Sequence, residues 1–241
     1  MTRLNDSRIG TLLGDRFAVR ASARTVSTLH AQHGAALFVT LETPLTVVDT
    51  HGNVARGHVV LVPPDLENTV LSAGPTIGIC YDPERLPRLA ARSRARGSAQ
   101  ALDGRLAHKL VEQAISYRAQ LEQPDVLRGI ADEAADWLGT ETARAVDTRV
   151  AAVIEALRDH DEAMPQLPIS RAHLAELFAR DVGTSMRSYR LWRRLLRALV
   201  AFTRSDATTA AHAAGFADLA HFSRTCRRML GYTPTALRDG V

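Results

Sequence analysis

The chain has 241 residues, 46% of them hydrophobic, enough for one large or two modest cores. No run of 18 apolar residues occurs, so no membrane-spanning helix is expected, and Met1 to Arg8 lacks the apolar stretch of a secretion signal. The net charge of +4 lies wholly in the C-terminal part: residues 1–145 hold 16 basic and 16 acidic side chains, residues 146–241 hold 14 arginines against 10 acids.

From the N-terminus, residues 15–82 read as strands. Apolar or β-branched runs start at Ala35, Leu45, His58 and Thr69, separated by turn residues at 42–44, 49–53, 63–65 and 73–75. Short strands at this spacing predict a small β-barrel or jelly roll over residues 1–84. The period then changes. Leu102, Leu106, Leu110, Ile115 and Leu121 recur every three to five residues, and Gln123-Pro124-Asp125 separates that stretch from a shorter helix ending at Gly139. Residues 85–145 therefore form a helical connector, with an Arg/Ala-rich piece over 85–97 that reads partly as linker. Cys80 and Cys226 fall in different domains and apolar contexts, as buried free thiols in a reducing cytoplasm.

Residues 146–241 read as an all-α domain, which makes the whole chain α+β. Arg149 to His160 predicts a helix, and Ser170 caps a second one running to about Asp181. Between them Pro165 and Pro168 oppose any helix. A long helix follows from Thr184 to about Arg204, roughly 20 residues or ~30 Å. Its apolar stripe is Met186, Tyr189, Trp192, Leu195, Leu196 and Leu199, flanked by Arg187, Arg190, Arg193, Arg194 and Arg197. Such an arginine row is either a solvated face or a set of phosphate contacts. The last segment is the most specific. Asp206 can cap a short helix with Ala210, Ala211 and Ala214 inward, and Gly215 supplies a left-handed turn. Phe216 pins that turn, Asp218 caps the next helix, and Phe222, Cys226, Met229 and Leu230 face inward. Gly231 closes the helix and Pro234 acts as a stop. The outer face offers Leu219, Ala220, Ser223, Arg224 and Arg227. A basic helix coupled closely to a smaller one is the unit that enters a major groove.

The spacing of Gly215-Phe216, Asp218, Phe222, Arg224 and Gly231-Tyr232-Thr233-Pro234 resembles the C-terminal signature of the AraC/XylS transcriptional regulators. The resemblance covers about the last 40 residues well and extends loosely back to about Ala145. One departure is Cys226, where the family usually has a core Phe. The N-terminal half resembles the cupin-like sensor domain often joined to such readers, through His30-Ala-Gln-His33-Gly, Thr43-Pro44-Leu45 and Gly57-His58-Val-Val-Leu-Val-Pro63-Pro64. The resemblance implies two helix-turn-helix heads joined by the long helix, double-stranded DNA as partner, a homodimer, contact with RNA polymerase and a small-molecule effector held by the β-domain. The β-domain serves equally well as a dimerisation module with no effector.

The first head departs from that pattern. The family usually places a short helix between the two predicted here, and this chain is about ten residues short. Its groove-facing candidates are Arg171, Ala172, Ala175 and Glu176. Either this head sits poorly on DNA and leaves selectivity to Leu219, Ala220, Ser223 and Arg224, or it has become a protein-contact surface. Arg224 is the best base-reading candidate, since an arginine can pair bidentately with guanine; contact with a phosphate or an intradomain ion pair is the alternative. Arg190 and Arg194 are candidate phosphate contacts, and Arg227 is a DNA-binding candidate on the outer face of the last recognition helix. His30 and His33, with His51 and His58 downstream, suggest a metal site and a rival reading as a metal-dependent cupin-type enzyme. That set is incomplete, because Asn68 stands where the later His would be. No nucleophile elbow, Gly-rich phosphate loop or Cys-x-x-Cys pair occurs, so no enzyme and no cofactor are expected. A cytoplasmic DNA-binding regulator is the expectation.

Overall fold

A computed structural model of the chain describes residues 8–14, 16–86, 97–140, 146–159 and 164–238. Ten strands make up the N-terminal part: β1 (Arg8–Leu13), β2 (Phe17–Ser22), β3 (Thr25–Val26), β4 (Ala35–Thr40), β5 (Leu45–Asp49), β6 (Val54–Gly57), β7 (Val59–Val62), β8 (Asn68–Ser72), β9 (Thr76–Tyr81) and β10 (Gln100–Ala101). They form two antiparallel sheets, ordered β1-β2-β9-β4-β7-β10 and β3-β8-β5-β6. Two of these strands escaped the sequence reading. β1 lies ahead of the segment expected to be extended, and two-residue β10 returns from the connector to pair with β7 through Gln100↔Leu61 and Ala101↔Val60.

The centre of the larger sheet explains the solid apolar run from Ala35. On β4, Ala36 packs with Val60, Val62, Leu45, Val47 and Val70 between the two sheets. Its neighbours Leu37 and Val39 belong to a core on the opposite face, completed by helices α1 (Gly104–Ser116) and α2 (Pro124–Thr140). A strand buried on both faces loses the polar alternation of a half-exposed one. The connector is therefore a packed layer, with Leu110, Leu121, Leu127 and Ile130 buried against the sheet. The Tyr81 hydroxyl donates to the Ala131 carbonyl at 2.7 Å and ties that layer down. Of the Arg/Ala-rich stretch expected as linker, residues 87–96 lie outside the described residues.

The C-terminal part holds helices α3 (Thr148–Asp159), α4 (Arg171–Val182), α5 (Met186–Phe202), α6 (Ala207–Ala213), α7 (Leu219–Leu230) and α8 (Pro234–Arg238). Long α5 serves two cores. Its Tyr189 completes one with Val153 and Leu157 of α3 and Leu174 and Phe178 of α4. From Trp192 to Leu199 it builds the other with Ala211, Phe216, Phe222, Cys226 and Met229, against which Leu13, Ala18 and Cys80 of the β-domain also pack. One helix thus spans both small domains and touches the third.

Candidate DNA-reading heads and the interdomain cavity

The second head is assembled as its landmarks require. Asp206 accepts from the backbone amides of Thr208 at 2.9 Å and Thr209 at 3.0 Å, which satisfies two otherwise free donors at the start of α6. Gly215 turns the chain at φ +81°, a conformation that a Cβ would strain. Phe216 then packs on Phe222 with ring centroids 5.3 Å apart. Asp218 accepts from the His221 amide at 2.5 Å and starts α7, and Gly231 ends it at φ +77°. Phe222, Cys226 and Met229 are fully buried, while Leu230 is half-buried. Burial pushes the Cys226 thiol up to about 12, so it stays protonated. The opposite face presents Leu219, Ala220, Arg224 and Arg227 exposed and Ser223 half-buried. Five of five groove-facing candidates on α7 therefore share one accessible face.

Three expectations are modified here. Pro234 opens α8 rather than merely stopping the chain, because its ring fits the first turn of a helix and the Thr233 hydroxyl caps the Ala236 amide at 3.2 Å. Arg193 is not a phosphate contact in this arrangement: it is 3% exposed and donates to Asp82 at 2.7 Å. Arg194 is half-buried and lies over the second head's turn, its guanidinium 6.0 Å from the Phe216 ring. Arg190 is also half-buried.

The first head is simpler. Ser170 accepts from the His173 amide at 3.2 Å, and Gly183 closes α4 at φ +84°. Arg171, Ala172, Ala175 and Glu176 are all exposed along α4. Residues 164–170, the described part of the α3–α4 connection, hold no helix, and α3 packs on α4 directly. Pro165 and Pro168, which lack amide donors, oppose a helix over these described residues.

The histidines do not converge. His30 is buried, and its Nδ1 hydrogen-bonds the Thr28 carbonyl at 2.8 Å; burial lowers its pKa and keeps the ring neutral. His33 pairs with Asp65, and His58 meets the Thr40 hydroxyl at 3.3 Å. Asn68 is buried and donates to the Leu66 carbonyl at 2.9 Å. Among the described residues no three His, Cys, Asp or Glu side chains are placed to share a metal ion.

Two features had no sequence signal. One is a cavity of about 940 Å³, counted with its open mouth, between the β-domain and the second head. Phe38 and Val70 face Leu199, Phe202 and Met229 across it, and its polar groups include Arg20 and His30. The Arg20 guanidinium sits 4.1 Å from the centre of the Tyr232 ring. The other is a polar clasp just beyond β9. Asp82 accepts from the Trp192 indole N–H and from Arg193, both at 2.7 Å, and is fully buried. Glu84 accepts from the Tyr189 hydroxyl at 2.7 Å and from Arg158 at 2.9 Å. Nothing in the local pattern Tyr81-Asp-Pro-Glu distinguishes these acids from a surface turn.

Comparison with known proteins fits this geometry. Residues 166–240 match the model of a helix-turn-helix domain family, of the AraC type. No curated protein sequence matches the chain. Among solved structures, ToxT from Vibrio cholerae superimposes with TM-score 0.56 at 10% identity, over 94% of this chain and 98% of its own. ToxT bound to (E)-4-(8-methylnaphthalen-1-yl)but-3-enoic acid gives TM-score 0.57 at 9% identity, over 93% and 99%. The AraC-like transcriptional activator CuxR aligns at 14% identity over 95% of this chain and 83% of its own, with TM-score 0.44. The fold is that of ToxT, a β-domain ahead of two helical heads, and the jelly-roll expectation holds as a two-sheet antiparallel domain. Residues 166–240 are a helix-turn-helix domain of the AraC type, the DNA-binding part of a transcriptional regulator.

Proposed function

We propose that the chain reads DNA chiefly through α7 of its second head and that the interdomain cavity holds a small apolar effector. The observation that carries the first part is the contrast between heads. α7 offers a capped helix with Leu219, Ala220, Ser223, Arg224 and Arg227 on one accessible face. α4 offers one arginine, two alanines and an acid, with no helix in residues 164–170 to brace it. Arg224 and Ser223 would contact base edges, and Arg227 and Arg190 phosphates. Glu176 repels phosphates, so α4 adds little affinity unless it meets a protein, RNA polymerase included.

The effector reading rests on the cavity's composition. Apolar side chains from both domains line it, with the Arg20 guanidinium among its polar groups, which suits an apolar body carrying one acidic head. ToxT has been solved with an apolar carboxylic acid, and a ligand of that chemistry is the first to try here. Because the cavity walls come from the β-domain and from α5 and α7, an occupant would bear directly on the second head. A second copy of the chain is the expected partner on DNA. The test is selection of bound duplexes from a randomised pool, followed by titration of the selected site across salt. Recovery of a single recognisable motif, with log affinity falling linearly in log salt, is expected. A flat salt response, or no enrichment, would overturn the reading.

A further inference from the structure

We infer that Asp82 and Glu84, two acids of the β-domain, are positioning residues for DNA reading: they hold both helix-turn-helix heads at one fixed mutual orientation. This rests on the two-headed reading above, and it concerns the contacts that set head geometry rather than those that touch DNA.

The two acids grip different parts of the C-terminal domain. Asp82 takes both of its donors, the Trp192 indole and Arg193, from the middle of α5, where the second head's core begins. Glu84, two residues on, takes Tyr189 from the first head's core and Arg158 from α3. Asp82 is fully buried and the side chain of Glu84 only 8% exposed, so each bond is shielded from competing water. The spacing between the acids is fixed by a short helical turn, Pro83 to Arg85, whose N–H groups at Arg85 and Leu86 return to Asp82 and Pro83. A rigid two-pronged group thus bridges α3 and α5.

Three further contacts place the rest of the domain. The Ala31 amide donates to the Arg228 carbonyl at 2.8 Å and the Thr28 hydroxyl to the Gly231 carbonyl at 2.9 Å, so the β-domain satisfies carbonyls at the end of α7. The Thr184 hydroxyl, just ahead of α5, donates to Asp65 at 2.6 Å. Gly34 lies where a Cβ would approach the Trp192 ring within 3.0 Å, so strand and indole meet without a side chain between them. These contacts leave Ala175 on α4 and Ala220 on α7 exposed, so clamping does not cover either reading face. β9 also lines the cavity at Gly78 and Cys80 before reaching Asp82, and α5 lines it at Leu199 and Phe202. An occupant therefore touches α5, which both acids hold, and β9, the strand that leads into Asp82.

The experiment is a distance measurement between spin labels on Ala175→Cys and Ala220→Cys in the full-length chain, with both native cysteines replaced by Ser or Ala. A single narrow distance distribution is expected. Asp82→Asn with Glu84→Gln should broaden it or add a second peak, and should relax the half-site spacing preference among selected duplexes at least severalfold. Trp192→Phe, which removes the N–H donor together with part of the ring while leaving both acids in place, should give a partial broadening and guards against a misfolded double variant. An unchanged distribution in a folded variant overturns the inference, whatever the DNA result. A broadened distribution with no DNA selectivity in any form would leave the positioning intact and instead overturn the two-headed reading.

Discussion

Arg224 concentrates the question of specificity in one side chain. It stands exposed in the second turn of α7, on the face shared by Ala220 and Ser223, with the helix start fixed by Asp218. Arg224→Ala should cost about 1–3 kcal/mol on the selected site and flatten preference at a single base pair. A uniform loss over all sequences, measured against a panel of single-base variants, would make it a phosphate contact instead. At Gly215 the φ of +81° sets a different cost. Gly215→Ala should destabilise the domain by about 1–2 kcal/mol in denaturant titration, since the substitution forces a side chain into the left-handed region. Both residues were visible in the sequence because cap, turn and reading positions recur at fixed local spacing. Asp82 was not, because its meaning comes from residues 110 positions away.

Asp82 also carries a pH signature. Burial, reinforced by the Glu84 charge, pushes its carboxyl up to about 7 against the pull of Arg193 and Trp192. A raised carboxyl means that the folded state holds a proton that the unfolded state has released. The stability tied to that proton is present below the unfolded value near 4 and is lost as pH rises through about 7. The unfolding free energy of the wild type, minus that of Asp82→Asn, should therefore fall between pH 4 and 7, by at most about 1.4 kcal/mol per pH unit. A difference that stays constant or rises over this window would show that Arg193 dominates and the acid is ionised throughout.

Among the elements, α5 shows how far periodicity reaches. Its approximate length and apolar stripe were legible, because Tyr189, Trp192, Leu195, Leu196 and Leu199 repeat at helical spacing. The partner on each flank was not. Arg193 sits in the same arginine row as Arg190 and Arg197, yet it is buried and meets the carboxylate of Asp82. Periodicity assigns a face, and only tertiary packing assigns its partner. That residues 164–170 hold no helix was legible for the opposite reason: two prolines act through local geometry alone. β10 escaped because two residues carry no period, and their pairing with β7 is set by the fold of the connector. The unequal heads give an element-level expectation. Arg171→Ala and Glu176→Ala should shift affinity for the selected duplex by less than about 0.5 kcal/mol each, against the larger loss at Arg224. Equal losses at α4 and α7 in the same titration would show two equivalent heads.

On the scale of the whole molecule, the C-terminal domain is not a detachable module. Trp192 is fully buried, yet part of what covers it belongs to the β-domain: Gly34 lies against its ring and Asp82 holds its indole N–H. Leu13, Ala18 and Cys80 likewise close the second head's core from outside. Cutting the chain near residue 146 would uncover part of a large aromatic side chain, at a cost of at most about 2–3 kcal/mol. Arg193 would gain water and lose its carboxylate, and the carbonyls of Arg228 and Gly231 would lose their β-domain donors. For a segment of this size the aromatic term alone corresponds to a fall in Tm of at most roughly 10–20 °C. The fragment 146–241 should therefore melt well below the full chain by circular dichroism and bind the selected duplex more weakly at equal salt. Adding back the β-domain as a separate chain should recover part of both, because the hydrogen bonds and apolar contacts it restores are non-covalent and need no tether. A fragment that melts with the full chain and binds DNA equally well would mean that the interdomain contacts contribute nothing to either property, and would remove the physical basis for signalling from the cavity to the heads.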